Sequence, residues 1–235
     1  MTALMLAILA AWFVAIFLGP PLWLAMALAG WAFLALAGIP DLALAQRIAK
    51  TADSFPLLAA PLFILMGNVM NSAGITQRIF AFASVCVGWM RGGLCHANIV
   101  ASVFFAGTSG SAVADAGGLG TLEIKAMTDE GYPPDIAAAL TASSATIGPI
   151  IPPSLPMIIY GVSAETSIGA LFLAGVVPGL LMAGALMVMV RAIAVRLDLP
   201  RHPFPGAADL WRAFRRAFWA LLLPVILFAG LFGGV

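Results

Sequence analysis

Residues 104–161 read FFAGTSGSAVADAGGLGTLEIKAMTDEGYPPDIAAALTASSATIGPIIPPSLPMIIYG, and they set two helix-breaking clusters of small polar residues inside strongly apolar surroundings. Thr108, Ser109, Gly110 and Ser111 make the first cluster; Gly148, Pro149, Pro152 and Pro153 make the second. In a hydrocarbon solvent an uncovered backbone N–H or C=O costs several kcal/mol, so an unwound segment survives at that depth only where protein covers it or where it lines a cavity. Two interrupted helices facing each other near the midplane are the arrangement with which secondary transporters hold a solute and its coupling cation.

The rest of the chain fits a membrane solvent. Of 235 residues, 63% are apolar and 9% charged, against about 25% charged in a soluble domain. The mean hydropathy is +1.08. Eleven Lys and Arg balance ten Asp and Glu, and this net charge of +1 gives no reason to expect nucleic acid as a partner. Cys86 and Cys95 have no Cys or His at metal-ligand spacing and read as small apolar residues. The amino-terminal stretch lacks a basic leader and reads as a first transmembrane helix.

Apolar stretches fall at 3–18, 22–38, 56–72, 94–122, 135–163, 167–190 and 217–235. The fourth is unlike the others: GTSGSAVADAGGLG at its centre holds five glycines and the carboxylate of Asp115. A straight span there would expose weak helix formers and a charge to lipid, so a re-entrant hairpin with its tip at 107–111 is predicted. The arginines at 191, 196, 201, 212, 215 and 216 place the loop after the sixth stretch in the cytoplasm. Hairpin and crossing both leave nine of the eleven cationic residues inside, so the hairpin rests on its glycine and serine content. Residues 74–91 carry Arg78, Trp89 and Arg91 as interface anchors, and read as an arm helix along the membrane surface. Residues 198–216 read as a cytoplasmic loop with an amphipathic start to the next helix, whose arginines set topology and touch lipid headgroups. The predicted organisation is scaffold helices at 1–72, the arm at 73–93, a hairpin and broken helix at 94–163, and further transmembrane helices at 164–235.

The chemistry is expected at the two breaks. Thr108, Ser109 and Ser111 offer hydroxyl oxygens, and Thr141, Ser143, Ser144 and Thr146 stand in the turns before Gly148-Pro149 and Pro152-Pro153. Each proline removes an N–H and so frees a carbonyl one turn earlier. Hydroxyls and freed carbonyls suit a hard cation such as sodium, and half-helix N-termini favour an anionic solute group. The spelling Gly107-Thr108-Ser109-Gly110 also raises an intramembrane serine protease, which needs a base beside Ser109. The two histidines, His96 and His202, are poorly placed for that: one is thirteen residues upstream and the other lies in the arginine-rich loop.

From Asp53 to Pro200 the chain resembles the large membrane subunit of a tripartite ATP-independent periplasmic (TRAP) transporter. The matching stretches are DSFPLLAAPLFILMGNVMNSAGIT (53–76), WMRGGL (89–94), AGTSGSAVADAGGLG (106–120) and ALTASSATIGPIIPPSLPMIIYG (139–161). The resemblance implies an all-α, multi-pass protein of the bacterial inner membrane with an elevator-type fold. It implies sodium-driven uptake of an organic acid, such as a C4-dicarboxylate or sialic acid, with a small membrane subunit and a periplasmic binding protein as partners beside membrane lipid. It also implies a sodium site from Ser109, Gly110, Ser111, Gly148, Ile151 and Pro153, with Asp115 bracing the hairpin tip. Thr108, Ser109 and Ser144 are the expected substrate contacts. The family's large subunit has two inverted repeats, whereas only one GTSGSA-like hairpin and one Gly-Pro break stand in this sequence. The chain is therefore expected to hold the first repeat, one cation site and half of a substrate site. Alternatives are an inactive scaffold or a channel.

Overall fold

A computed structural model of the chain describes residues 2–52 and 55–233. Every regular element among them is a helix. The chain divides into two compact units, Met1–Phe55 and Pro56–Val235.

The first unit contains α1 (Thr2–Phe17), α2 (Leu22–Leu36) and α3 (Asp41–Ala52). Gly19 at φ +85°, followed by Pro20 and Pro21, stops α1 and starts α2; Gly38 at φ +68° and Pro40 do the same between α2 and α3. α1 and α2 pack together and are apolar on all sides. A helix without a polar face suits an apolar surrounding rather than water. α3 was not among the predicted apolar stretches; it is amphipathic and ends with Lys50 in its last turn, where a cation opposes the helix dipole.

The second unit runs α4 (Phe55–Ser72), α5 (Ile75–Val87), α6 (Gly93–Ser109), α7 (Ala112–Gly117), α8 (Leu119–Asp129), α9 (Pro134–Ala145), α10 (Leu155–Ser163), α11 (Ile168–Arg196) and α12 (Ala207–Gly233). Its centre is α6, which packs against α5, α7, α8, α9, α11 and α12. Residues 94–99 are all buried, as are Ala101, Ser102, Phe105 and Ala106, while Val100, Val103 and Phe104 form one partly buried face. α5 turns Thr76, Ile79, Phe80 and Ala83 inward, a spacing of three and four residues that makes one helical face. α11 is, among the described residues, the one helix both long and apolar enough to cross a membrane; its 29 residues span roughly 44 Å.

The breaks stand where the sequence places them but are shaped differently. α6 continues through Thr108 and Ser109, so the first interruption is confined to Gly110 and Ser111 rather than spread over 107–111. Gly110 takes φ +57°, a left-handed value that ends α6, and its N–H donates to the Ala106 carbonyl at 3.2 Å. Beyond it come two short helices, α7 and α8, that together reach Asp129, seven residues past the predicted end of the hairpin. The second interruption is longer and covers 146–154 between α9 and α10, with a cis peptide bond between Pro152 and Pro153. Within 198–216, read as a loop leading into the start of the next helix, α12 begins at Ala207.

α11 receives the second interruption on a glycine stripe. A Cβ on Gly175 would meet the Ile150 carbonyl and the Met157 methyl, and one on Gly179 would run into Ile151. Missing side chains one turn apart let the irregular segment approach the helix axis closely. Gly179→Ala is therefore expected to lower the thermal midpoint of the purified protein, on the scale of the ~1–3 kcal/mol that overpacking costs. Ile151→Ala in the same chain should recover much of that loss in a thermal-shift measurement.

Candidate functional site

The two interruptions touch. A Cβ added to Gly110 would sit 2.9 Å from the Pro153 carbonyl oxygen and 2.9 Å from the Leu155 amide nitrogen. Only glycine satisfies both the positive φ and this approach. Gly148 faces Asp115: a Cβ there would collide with Asp115 Oδ2. Asp115 is 2% exposed and its backbone N–H donates to the Ser111 carbonyl at 3.0 Å. Gly110, Ser111, Asp115, Gly148 and Pro153 thus gather at one place from α6, α7 and the 146–154 segment.

Serines cap both restarted helices. Ser111 Oγ accepts from the Ala114 N–H at 3.4 Å at the start of α7. Ser154 Oγ accepts from the Met157 N–H at 3.3 Å at the start of α10 and donates to the Pro149 carbonyl at 2.6 Å. The Pro149 carbonyl, one turn before Pro153 and so expected to be left open, is therefore already satisfied. Thr146 Oγ1 and Ser143 Oγ likewise donate within their own segment, to the carbonyls of Ser143 (2.6 Å) and Ala139 (2.8 Å).

Behind the breaks lies a buried polar network. Asn98 Nδ2 on α6 donates to Glu123 Oε2 on α8 (2.7 Å) and to Thr141 Oγ1 on α9 (2.8 Å). Ser144 Oγ donates to Asn98 Oδ1 at 2.6 Å and also lies 3.1 Å from the Thr141 carbonyl. All four side chains are at most 3% exposed. Ser144, expected as a substrate contact, is thus turned into the protein and its hydroxyl is engaged there. Glu123 escaped the sequence reading because it lies one residue beyond the apolar run, and Asn98 because a lone amide in a helix gives no pattern; the one available signal was an i, i+3 pair of hydroxyls, Thr141 and Ser144, that needed a partner on one face of α9.

In front of the breaks opens a cavity of about 370 Å³ lined by Gly67 and Asn68 of α4, Phe105 of α6, Ser111 and Gly117 of α7, and Leu155 of α10, among others. That volume is in the range of small-molecule sites. Asn68 is exposed toward it and was also missed; its signal was the Gly67-Asn68 pair inside an otherwise apolar helix. Of the residues expected at the site, Thr108 and Ser109 form the last turn of α6, and their side chains fall outside the described residues. Ile151 packs on Gly179 through its side chain, so that only its backbone is open to the site.

The histidines do not serve the serine. His96 and Ser109 lie thirteen residues apart on one continuous helix, roughly 20 Å. His202 Nε2 is held at 2.7 Å by Glu130 Oε2. Among the described residues neither histidine supplies the base that the protease reading needs beside Ser109.

Residues 9–235 match the family model of the tripartite ATP-independent periplasmic transporter, DctM component. The chain belongs to this family. It is 51% identical over 190 residues to the sialic acid TRAP transporter permease protein SiaT of Haemophilus influenzae, covering 81% of this chain and 31% of that one. It is 48% identical to the sialic acid TRAP transporter large permease protein SiaM of Vibrio cholerae, over 95% of this chain and 52% of the relative. Against the C4-dicarboxylate TRAP transporter large permease protein DctM of Pseudomonas aeruginosa the identity is 40%, over 81% of this chain and 45% of the relative. The chain thus spans from about a third to about half the length of these TRAP relatives.

Removing the centre of the network should be costly. Asn98→Ala takes the donor from Glu123 and Thr141, while Ser144 keeps the Thr141 carbonyl, and each buried polar group left unsatisfied costs about 1–3 kcal/mol. The expected result is a steep drop in thermal midpoint, larger than that of Glu123→Gln, which keeps an oxygen for Asn98 to donate to; comparable drops in the two variants would mean that the network carries little of the stability.

Proposed function

We propose that this chain supplies part of the large permease subunit of a TRAP importer of the bacterial inner membrane, and that the abutting breaks hold the coupling cation and one side of an organic-acid site. The observation that carries the reading is the meeting of Gly110 with Pro153 and Leu155. It brings two interrupted helices together beside a buried carboxylate and an open cavity, as membrane transport sites require.

The donors present fit sodium. Among the described residues no three of His, Cys, Asp and Glu come together, so the candidate ligands are hydroxyl and carbonyl oxygens with the Asp115 carboxylate nearby. That oxygen set matches a hard cation. Ser109, Gly110, Ser111, Gly148, Ile151 and Pro153 are the residues that would hold it, Gly110 and the last three through backbone oxygens. Bound there, a cation would add positive charge beside the cavity, and the acid group of a solute would be drawn to it. Asp115 would keep the two breaks in register from its buried position against Gly148. Asn68, Ser111 and the last turn of α6, with Thr108 and Ser109, border the space left for solute.

The higher identity to the two sialic acid permeases than to the dicarboxylate permease makes sialic acid the first solute to test. Partners of the proposed assembly are a small membrane subunit, a periplasmic binding protein, and the remainder of the large subunit, since this chain spans only part of its relatives. Labelled sialic acid uptake into proteoliposomes, with those partners and a sodium gradient, is the direct experiment. Uptake is expected with sodium and not with potassium, and Gly110→Ala should reduce it by at least tenfold while Ser109→Ala weakens the sodium dependence. Folded, inserted protein that gives no uptake of sialic acid or of a C4-dicarboxylate under these conditions would leave the inactive scaffold as the better account.

A further inference from the structure

Two arginine-lined recesses stand beside α5. One, of about 550 Å³, runs along α5 from Gln77 to Val85 against the start of α12 and is lined by Arg78, Arg212 and Arg216, with Asp209 paired to Arg212. The other, of about 590 Å³, lies past the carboxyl end of α5 and is lined by Trp89, Arg91, Arg191 and Arg201, with Arg91 paired to Asp198 at 3.3 Å. In each, three guanidiniums face one carboxylate, which leaves two positive charges uncompensated.

Between and beside the recesses run aromatic rings. Phe82 meets Phe214 at 6.2 Å between centroids, and Trp89 meets Phe204 at 5.5 Å. Trp211, Phe204 and Trp219 are at least 60% exposed. A soluble anion would gain nothing from exposed rings at its site, whereas a phospholipid uses both halves of this surface: guanidinium for its phosphate, and rings at the headgroup level for its glycerol and upper chains.

We propose that each recess binds the phosphate of an anionic phospholipid, with α5 lying in the headgroup layer beside them. The two recesses share no lining residue, so two lipids are bound. The arginines of the loop and of α12 thereby form built sites as well as setting topology. This inference is independent of the solute and of transport activity, and its readout is lipid retention.

Native mass spectrometry of the full chain in detergent, with phosphatidylglycerol or phosphatidylcholine supplied at equal concentration, tests it. Two phosphatidylglycerol molecules are expected to be retained and phosphatidylcholine none. Arg78→Ala with Arg216→Ala should lose one, Arg191→Ala with Arg201→Ala should lose the other, and Arg47→Ala with Lys50→Ala should lose neither. Circular dichroism verifies helix content, and the corresponding Gln pairs replace any Ala pair that fails to fold. Equal retention of the two lipids, or two phosphatidylglycerols on both double variants, overturns the proposal. Inorganic phosphate bound at the same concentration in place of lipid would assign a soluble anion instead, and expulsion of both lipids by the small membrane subunit would assign the surface to a protein partner.

Discussion

An interrupted helix carries backbone donors and acceptors that lipid cannot satisfy, and the second unit is organised around covering them. Each interruption is closed by its own serine: Ser111 caps α7, and Ser154 caps α10 while reaching back to the Pro149 carbonyl. The interruptions then cover one another, Gly110 against Pro153 and Leu155, and α11 covers the outer side of the longer one through Gly175 and Gly179. Few of these positions tolerate a side chain. That intolerance explains why glycine and proline crowd a stretch where helix propensity alone would disfavour them.

The polar network behind the breaks solves a different problem. α6 packs against six neighbouring helices, and apolar packing by itself would let it rotate or slide among them. Asn98 fixes it, because its two N–H groups and its oxygen are committed to α8 and α9 together. Two of these helices, α6 and α9, lead directly into the breaks, so the network holds the approaches to the site in one frame. Burying Glu123 there is expensive, and Asn98 offsets only part of the cost: Glu123 Oε1 has no hydrogen-bond partner among the described residues.

Both breaks were legible in the sequence because Gly110, Gly148 and the prolines act locally: they stop a helix whatever surrounds them. Their mutual contact was legible only as an analogy with transport folds, since nothing local says that residue 110 meets residue 153. Ser144 shows the limit most clearly. Its hydroxyl and its position beside the break suggested a ligand, but the face of α9 that it occupies points to Asn98, 46 residues away in sequence. Glu123 and Asn98 were missed for the same reason, a partner far along the chain. α3 was missed because its pattern is amphipathic, and the search for spans follows apolar length.

The glycine pair on α11 has a mechanical side. Gly175 and Gly179 are four residues apart, about 6 Å along the helix, and Ile150, Ile151 and Met157 are seated in the notch that they form. A notch that short accepts its occupant in one register. Movement of the 146–154 segment along α11 would meet side chains until a whole turn had passed, so the pair behaves as a detent: it resists small slippage firmly and permits displacement only in a discrete step or by lifting away from the helix.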